Sequence, residues 1–408
     1  MPKVLVTDAS ERAALAVIRS LGRRNIEVTA ADSTRFSMGF MSKYCKQRIL
    51  YPSPETEKTR FARALLKKVR DESFDALIPI TDMAMVPIVE RKEDFEQYTK
   101  VAAPDLSTAT KVLDKIETLK IARQQDLPCP ATTFGENIDD AHRFSKEIVY
   151  PVVVRPRRKV TWIGEKALIL KVTSNNYAYD YQDFITKWAK LVLTLKKVGL
   201  DRDFLLVQEF IPGQGFGLEA LMHEGRPKAT FVHKRLREYP VTGGASTLRE
   251  SAKDDRLARL GIKLLAALQW DGVAMVEFRL NRSTGEPMLI EVNGRFWGSL
   301  PLAIRSGVDF PYLLYKLLIG TENLTNPEYE AGIKQRWLAG DFLWLYSSLV
   351  NGGRRAKSIK EFLCASTVPD DIMTLDDSAP FCNQMLFVLS LLADVSKGHR
   401  SLTGEVIP

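Results

Sequence analysis

The stretch Asp271–Trp297, DGVAMVEFRLNRSTGEPMLIEVNGRFW, reads as two strands joined by a turn. Residues 273–280 alternate, with Val276, Phe278 and Leu280 on one face and Met275, Glu277 and Arg279 on the other. Residues 281–287 gather Asn, Ser, Gly and Pro, which is turn chemistry. Residues 288–293 alternate again, with Leu289, Glu291 and Asn293 sharing a face. A hairpin symmetric about Thr284 sets Glu277 opposite Glu291, with Asn293 beside them. Facing carboxylates repel. A hard cation between them removes that cost, and two carboxylates with an amide oxygen suit magnesium alongside nucleotide phosphates. Arg295 follows where it could meet phosphate oxygens. The alternative is a solvated acidic hairpin, but Val273, Met275 and Leu289 on the same face argue for burial.

Working outward, KVLVT at 3–7 is a short buried strand, DAS a turn, residues 11–21 an amphipathic helix and residues 26–30 a second strand closing at Asp32. This is a βαβ unit of a parallel sheet without the GxGxxG dinucleotide fingerprint. Asp32 either caps a turn or touches a ligand hydroxyl. Residues 61–70 read as a helix and 76–80 as a strand ending in Thr81-Asp82, where open α/β sheets bind ligands. A single helix is expected over 109–127. YPVVVRP at 150–156 is a strand, and the next stretch a hairpin with Arg157, Arg158 and Lys159 at its tip, either a cover over phosphates or a solvated loop. FLLVQEFI at 204–211 is a strand and residues 212–217 a glycine-rich turn. The segment 235–247, RLREYPVTGGAST, could offer backbone amides as an anion nest. Leu257, Leu260, Leu264 and Leu268 mark the core face of a helix over 255–270. Helices are also expected over 300–306, 312–319, a stretch holding Arg336, Trp337 and Asp341, and 381–396.

A chain of 408 residues with 45% hydrophobic and 26% charged residues is ordinary for a globular protein of two or three domains. Its net charge of +8 comes from dispersed basic residues, which does not favour nucleic-acid binding. Cys45, Cys129, Cys364 and Cys382 are far apart, as reduced thiols rather than a disulfide frame or zinc site. No apolar run approaches the roughly 20 residues of a membrane helix. The expectation is a cytoplasmic protein with no membrane or nucleic-acid partner. Of the histidines, His142 and His399 read as surface, His223 as a turn residue and His233 as a candidate base or substrate contact.

The ordered set YPVVVRP, VQEFIPGQGFGLEAL, RLREYPVTGGAST, VEFRL and LIEVNGRFWGSL resembles the ATP-grasp superfamily of ligases over residues 1–320. Within it, the chain is most similar to the carbamoyl-phosphate-synthase-like carboxylate–amine ligases. The resemblance implies a mixed α/β and α+β fold. A Rossmann-like domain at 1–108 would precede a two-lobed ATP-grasp domain at 109–320, with a lid at 128–207 and a metal lobe at 208–320. A mainly helical region at 321–408 would follow, packing on the active site or making a homodimer. Glu277, Glu291 and Asn293 would hold magnesium, with manganese as an alternative. Lys115 and Arg155 would contact ATP phosphates, and Gln208, Glu209, Phe210 and Ile211 would read adenine, largely through backbone. Arg295 would touch phosphate or an acyl-phosphate. Arg235 and the 242–247 loop would stabilise the transferred phosphoryl group and shape the substrate end. The partners implied are a carboxylic acid and an amine, amino acids among them. Two departures stand out. RRKVTW replaces the family's glycine-rich lid loop, and Gly215 or Gly217 stands where a ribose-gripping acid is usual, leaving Glu219 as its substitute. The competing readings are an enzyme that stops at an acyl-phosphate or carboxyphosphate, and a non-catalytic ATP-binding module.

Overall fold

The computed structural model describes residues 2–134, 143, 149–170, 172–200, 204–240, 243–321, 324–351 and 355–396. His142, His399 and Thr242 lie outside the described residues.

The first 101 residues build a parallel sheet from β1 (Lys3–Val6), β2 (Glu27–Asp32), β3 (Cys45–Leu50), β4 (Ala76–Ile78) and β5 (Lys100–Val101), ordered β3-β2-β1-β4-β5. Strand β3, CKQRIL, was not legible as a strand: it is an edge strand whose polar residues replace the apolar run of the central ones. Asp32 takes the capping alternative, its carboxylate accepting from the amides of Ser10 at 2.7 Å and Thr34 at 2.9 Å. The helix expected over 109–127 is two, Leu106–Leu113 and Lys115–Gln124. Asp114 separates them because its backbone is extended (ψ 109°) and its side chain caps the second helix at the amide of Ile116.

A smaller sheet follows, formed by β6 (Thr132–Phe134), β7 (Val152–Pro156), β10 (Tyr177–Ala178) and β11 (Leu205–Glu209) in the order β10-β7-β11-β6. Val152, Val154, Leu205 and Val207 bury against Phe184 and Trp188 of the helix Tyr181–Lys196. Between β7 and β10 stands a hairpin of β8 (Val160–Ile163) and β9 (Lys166–Ile169). Its tip is Gly164-Glu165, with Gly164 at φ 62°, a conformation glycine adopts freely. Arg157, Arg158 and Lys159 are therefore at its base, not its tip.

The third sheet is antiparallel: β12 (Gly213–His223), β13 (Arg226–Tyr239), β14 (Ala245–Ala252), β15 (Gly272–Asn281), β16 (Pro287–Asn293) and β17 (Lys334–Arg336), ordered β16-β15-β12-β13-β14-β17. The glycines at 213–217 run inside β12 instead of turning, in register with Asn281 to Glu277 of β15. A Cβ on Gly217 would lie 2.4 Å from the His233 ring, and one on Gly215 3.0 Å from Arg235 Cδ, so these glycines let neighbouring side chains lie flat over the strand. Arg336, expected in a helix, instead ends edge strand β17, which pairs with β14 before the helix Leu338–Asn351 begins. One face of the sheet packs Phe216, Leu218, Val276 and Phe278 against Leu257 and Leu264 of the helix Asp255–Ala267. On the other, Leu221, Phe231, Val273 and Met275 are buried with Phe296, Trp297 and the helix Arg12–Gly22. That burial stops short of Glu277 and Glu291.

Candidate active site

Strands β15 and β16 pair Glu277 directly with Glu291, and Met275 with Asn293. A bulge then leaves Ile290 extra, so Phe278 pairs with Leu289. Leu289, expected beside Glu291, therefore packs with Phe278 in the opposite core. The bulge reverses the side of Leu289 and leaves the carboxylates facing each other.

Every polar atom of the trio has a partner. Asn293 Nδ2 donates to Glu277 at 2.8 Å. The other Glu277 oxygen meets Arg235 at 2.7 Å. Glu291 meets Arg155 at 3.2 Å and Lys159 at 2.5 Å, and Lys159 also donates to Asn293 Oδ1 at 3.1 Å. Burial pushes the Glu291 carboxyl up, but Lys159, Lys115 and Arg155 outweigh it and hold it well below the usual range. Burial pushes the Arg235 guanidinium down, and Glu277 with Glu238 more than reverses this.

Lys115 opens its helix under the same cluster. Burial lowers its ammonium to about 7 against the favourable field of Glu291. A cavity of ≈ 30 Å³ beside it is lined by Asp82, Lys115, Lys159, Glu291 and Asn293. That is room for a water or a small cation. Among the described residues no group of three His, Cys, Asp or Glu gathers to hold a metal. The set here is two carboxylates and an amide oxygen, already drawing cationic groups, which is donor chemistry that fits magnesium completed by phosphate and water.

Arg295 lies between two elements, its Nε 3.3 Å from Asp82 and its Nη2 3.5 Å from Asn293 Oδ1. Asp82 thus joins the site from the first turn of the helix Asp82–Val89, which follows β4. Gln208 takes Arg155 at 2.8 Å and donates to Thr132 at 3.1 Å. The amides of Glu209 and Phe210 are spent on the carbonyls of Ala131 and Pro151, and the Ile211 side chain is buried. Those two amides are not free donors for a base.

Other expected residues are elsewhere. Glu219, expected as a ribose contact, is fully buried, against Ser299 at 2.9 Å and His233 at 3.1 Å. His233 is equally buried, behind Gly217. The amides of Gly243 and Gly244 donate to the Pro240 carbonyl, so these two do not form an anion nest. Lys159 was visible only as part of a basic run. Its reach to Glu291, 132 positions away, is a tertiary fact.

The hairpin docks on the first sheet's domain. Trp162 Nε1 donates to Pro54 at 3.3 Å, Lys58 lies 4.9 Å from the Trp162 ring centre, and Glu165 accepts from Thr59. The region beyond 321 supplies carboxylates to the arginines of β13 and β14: Asp341 meets Arg237 at 2.7 Å, and Asp371 bridges Arg249 and Arg12. Among the described residues no helix is long and apolar enough to cross a membrane.

Residues 201–340 match a family described as ATP-grasp in the biosynthetic pathway with Ter operon. The carbamoyl phosphate synthase large chain, N-terminal section, of Methanopyrus kandleri is 24% identical over 274 residues, covering 64% of this chain and 46% of that protein. A D-alanine–D-alanine ligase of Thermoanaerobacter pseudethanolicus is 27% identical over 203 residues, covering 47% of this chain and 54% of the ligase. The chain thus spans about half the length of these relatives. Among solved structures, the biotin carboxylase domain of Hydrogenobacter thermophilus 2-oxoglutarate carboxylase, in complex with MgADP and bicarbonate, superposes with a TM-score of 0.62 at 14% identity, covering 81% of this chain and 73% of the other. The L-amino acid ligase from Bacillus licheniformis gives 0.58 at 17% identity, covering 78% and 74%. The carboxylate hairpin lies within the segment that matches the ATP-grasp family.

Proposed function

We propose that this protein is an ATP-dependent carboxylate–amine ligase that forms an amide through an acyl-phosphate. The observation that carries the reading is the in-register pair Glu277 and Glu291, with Asn293 between them and Arg155, Lys159 and Arg235 on their oxygens. A magnesium ion held by Glu277, Glu291 and Asn293 would supply charge neutralisation for the phosphates; manganese has the same ligand preference. The relatives' names support the reading, as they include a D-alanine–D-alanine ligase and an L-amino acid ligase.

A carboxylate is a poor electrophile because its charge is delocalised and it lacks a leaving group. In the first step a substrate carboxylate oxygen bonds to the γ-phosphorus of ATP as the bond to the β,γ-bridging oxygen breaks, releasing ADP. In the second, an amine nitrogen attacks the acyl carbon, the bond to the phosphate oxygen breaks, and the amine proton leaves to solvent or phosphate. Arg155, Lys159 and Lys115 line the Glu291 side, where they would hold phosphate oxygens. Arg235 and Arg295 flank the Glu277 and Asn293 side, where charge on the moving phosphoryl group would be neutralised. No nucleophilic side chain is required.

The test is ADP release from ATP and magnesium with pooled carboxylic acids, with and without pooled amines, beside Glu291→Gln. ADP that requires acid plus amine and disappears in the variant is the expected result. ADP formed with acid or bicarbonate alone would replace the ligase reading with acyl-phosphate or carboxyphosphate formation. Binding of MgATP without turnover across the pools would favour a non-catalytic ATP-binding module.

A further inference from the structure

Deeper on the same face of the large sheet, next to Arg235, a second cluster carries more positive charge than its partners neutralise. Arg249 of β14 is the register partner of Arg235 of β13, so both project from one face. The Arg249 side chain is 0% exposed. Its Nη2 meets Asp371, while its Nε and Nη1 have no partner. Asp371 is shared with Arg12, whose Nη1 lies 2.9 Å from the second carboxylate oxygen. Two guanidinium groups thus divide one carboxylate. The neighbouring acid, Asp370, is spent on the amides of Leu338, Ile372 and Met373. Arg235, by contrast, meets two carboxylates, Glu277 and Glu238, the latter shared with Arg279.

The surroundings add a further donor, and the one backbone acceptor there, the Gly298 carbonyl, takes Arg12 at 3.3 Å and not Arg249. Arg12 stacks 4.0 Å from the ring centre of Trp337, whose buried Nε1–H also lacks a partner. Trp337 and Arg12 are each only partly buried, unlike Arg249. A fully buried guanidinium with unspent N–H groups is costly, and an anion supplying acceptor lone pairs offsets that cost. Paired N–H groups of arginine match a carboxylate in shape.

We propose that Arg249, Arg12 and Trp337 form a subsite for a second, non-reacting carboxylate of the acid substrate, so that the preferred acid is a dicarboxylate or an acidic amino acid. The inference rests on the ligase reading. The reacting carboxylate is activated beside Arg235 and Glu277, and the distal one is held by the register partner of Arg235. Cross-strand partners stand about 5 Å apart, which a short dicarboxylate can span.

The experiment is calorimetric titration of the full chain with succinate, glutarate, aspartate and glutamate, against acetate, butyrate and inorganic phosphate. A non-hydrolysable ATP analogue with magnesium is titrated in parallel. At least one dicarboxylate should bind about tenfold tighter than the monocarboxylates, and Arg249→Met should remove about that factor while leaving the ATP analogue's affinity unchanged. Trp337→Phe keeps the stack on Arg12 and removes one donor. It should weaken the dicarboxylate about threefold to tenfold, and it serves where Arg249→Met fails to fold. Equal affinity for mono- and dicarboxylates, no binding of any dicarboxylate, or an unchanged affinity in both variants would overturn the proposal and leave Arg249 a structural tie. Phosphate binding as tightly through Arg249 would overturn the carboxylate assignment. Failure of the ATP analogue to bind would refute the ligase reading itself. Analogue binding without dicarboxylate binding refutes only this inference.

Discussion

Two edges of one sheet meet their neighbours with opposite charge. At the β15–β16 edge the sheet offers carboxylates, and the smaller lobe answers with Arg155 and Lys159. Towards the β14 edge it offers Arg237 and Arg249, and the C-terminal region answers with Asp341 and Asp371. The Lys159 side chain is 40% exposed, whereas both Asp371 and Arg249 are 0% exposed. An ion pair open to water can exchange partners, because water replaces what is lost; a buried one cannot, because its loss strands a charge. The first edge thus carries a pair that can change partners, and the second a fixed pair that still leaves two buried N–H groups of Arg249 without an acceptor.

The largest effect should come from breaking the first edge at its centre. Glu291→Gln should lower ADP release about 100-fold or more while far-UV circular dichroism is unchanged. Retained turnover would remove the hairpin from the chemistry. Next, Asp371→Ala leaves the fully buried Arg249 and the partly buried Arg12 without their shared carboxylate. Urea unfolding should show a loss of about 3–5 kcal/mol, and a loss below about 1 kcal/mol would mean that this edge is no more demanding than the first. Lys159→Ala makes the complementary case: stability should change by less than about 1 kcal/mol while ADP release falls about tenfold. If stability falls as far as in Asp371→Ala, the contrast between the edges is lost.

The smallest effect is a pH slope. Burial lowers Lys115 from its ordinary 10.5 to about 7 in the folded chain. The unfolded chain therefore binds more protons between those values, so this group's contribution to stability is fully present above pH 10.5 and is lost as pH falls towards 7. The urea midpoint of the native protein relative to Lys115→Met should rise between pH 7 and pH 9. A difference that is flat with pH would mean that the lysine keeps its proton throughout.

Much of this site could be read along the chain because it lies on short-range structure. A hairpin with alternating residues sets Glu277 against Glu291 whatever surrounds it, and Arg295 follows two residues after Asn293. The first sheet was legible where strands are apolar and not at β3, whose edge position leaves it polar. The glycines of 213–217 read as a turn because glycine serves turns; here they make room for His233 and Arg235, which sequence spacing cannot reveal. Glu219 looked available because it stands in a strand beside the right motif. Its burial comes from Ser299 and His233, which are distant in the chain.

The sequence by itself determined the local geometry of the hairpin, the parallel βαβ opening and the helical periodicities, since each depends on residues a few positions apart. The tertiary structure decided which charges meet. Lys159 reaches Glu291 across 132 positions and Arg249 reaches Asp371 across 122. Such pairings follow from the packing of separate sheets and helices, and the burial that makes one exchangeable and the other fixed exists only once the chain has folded.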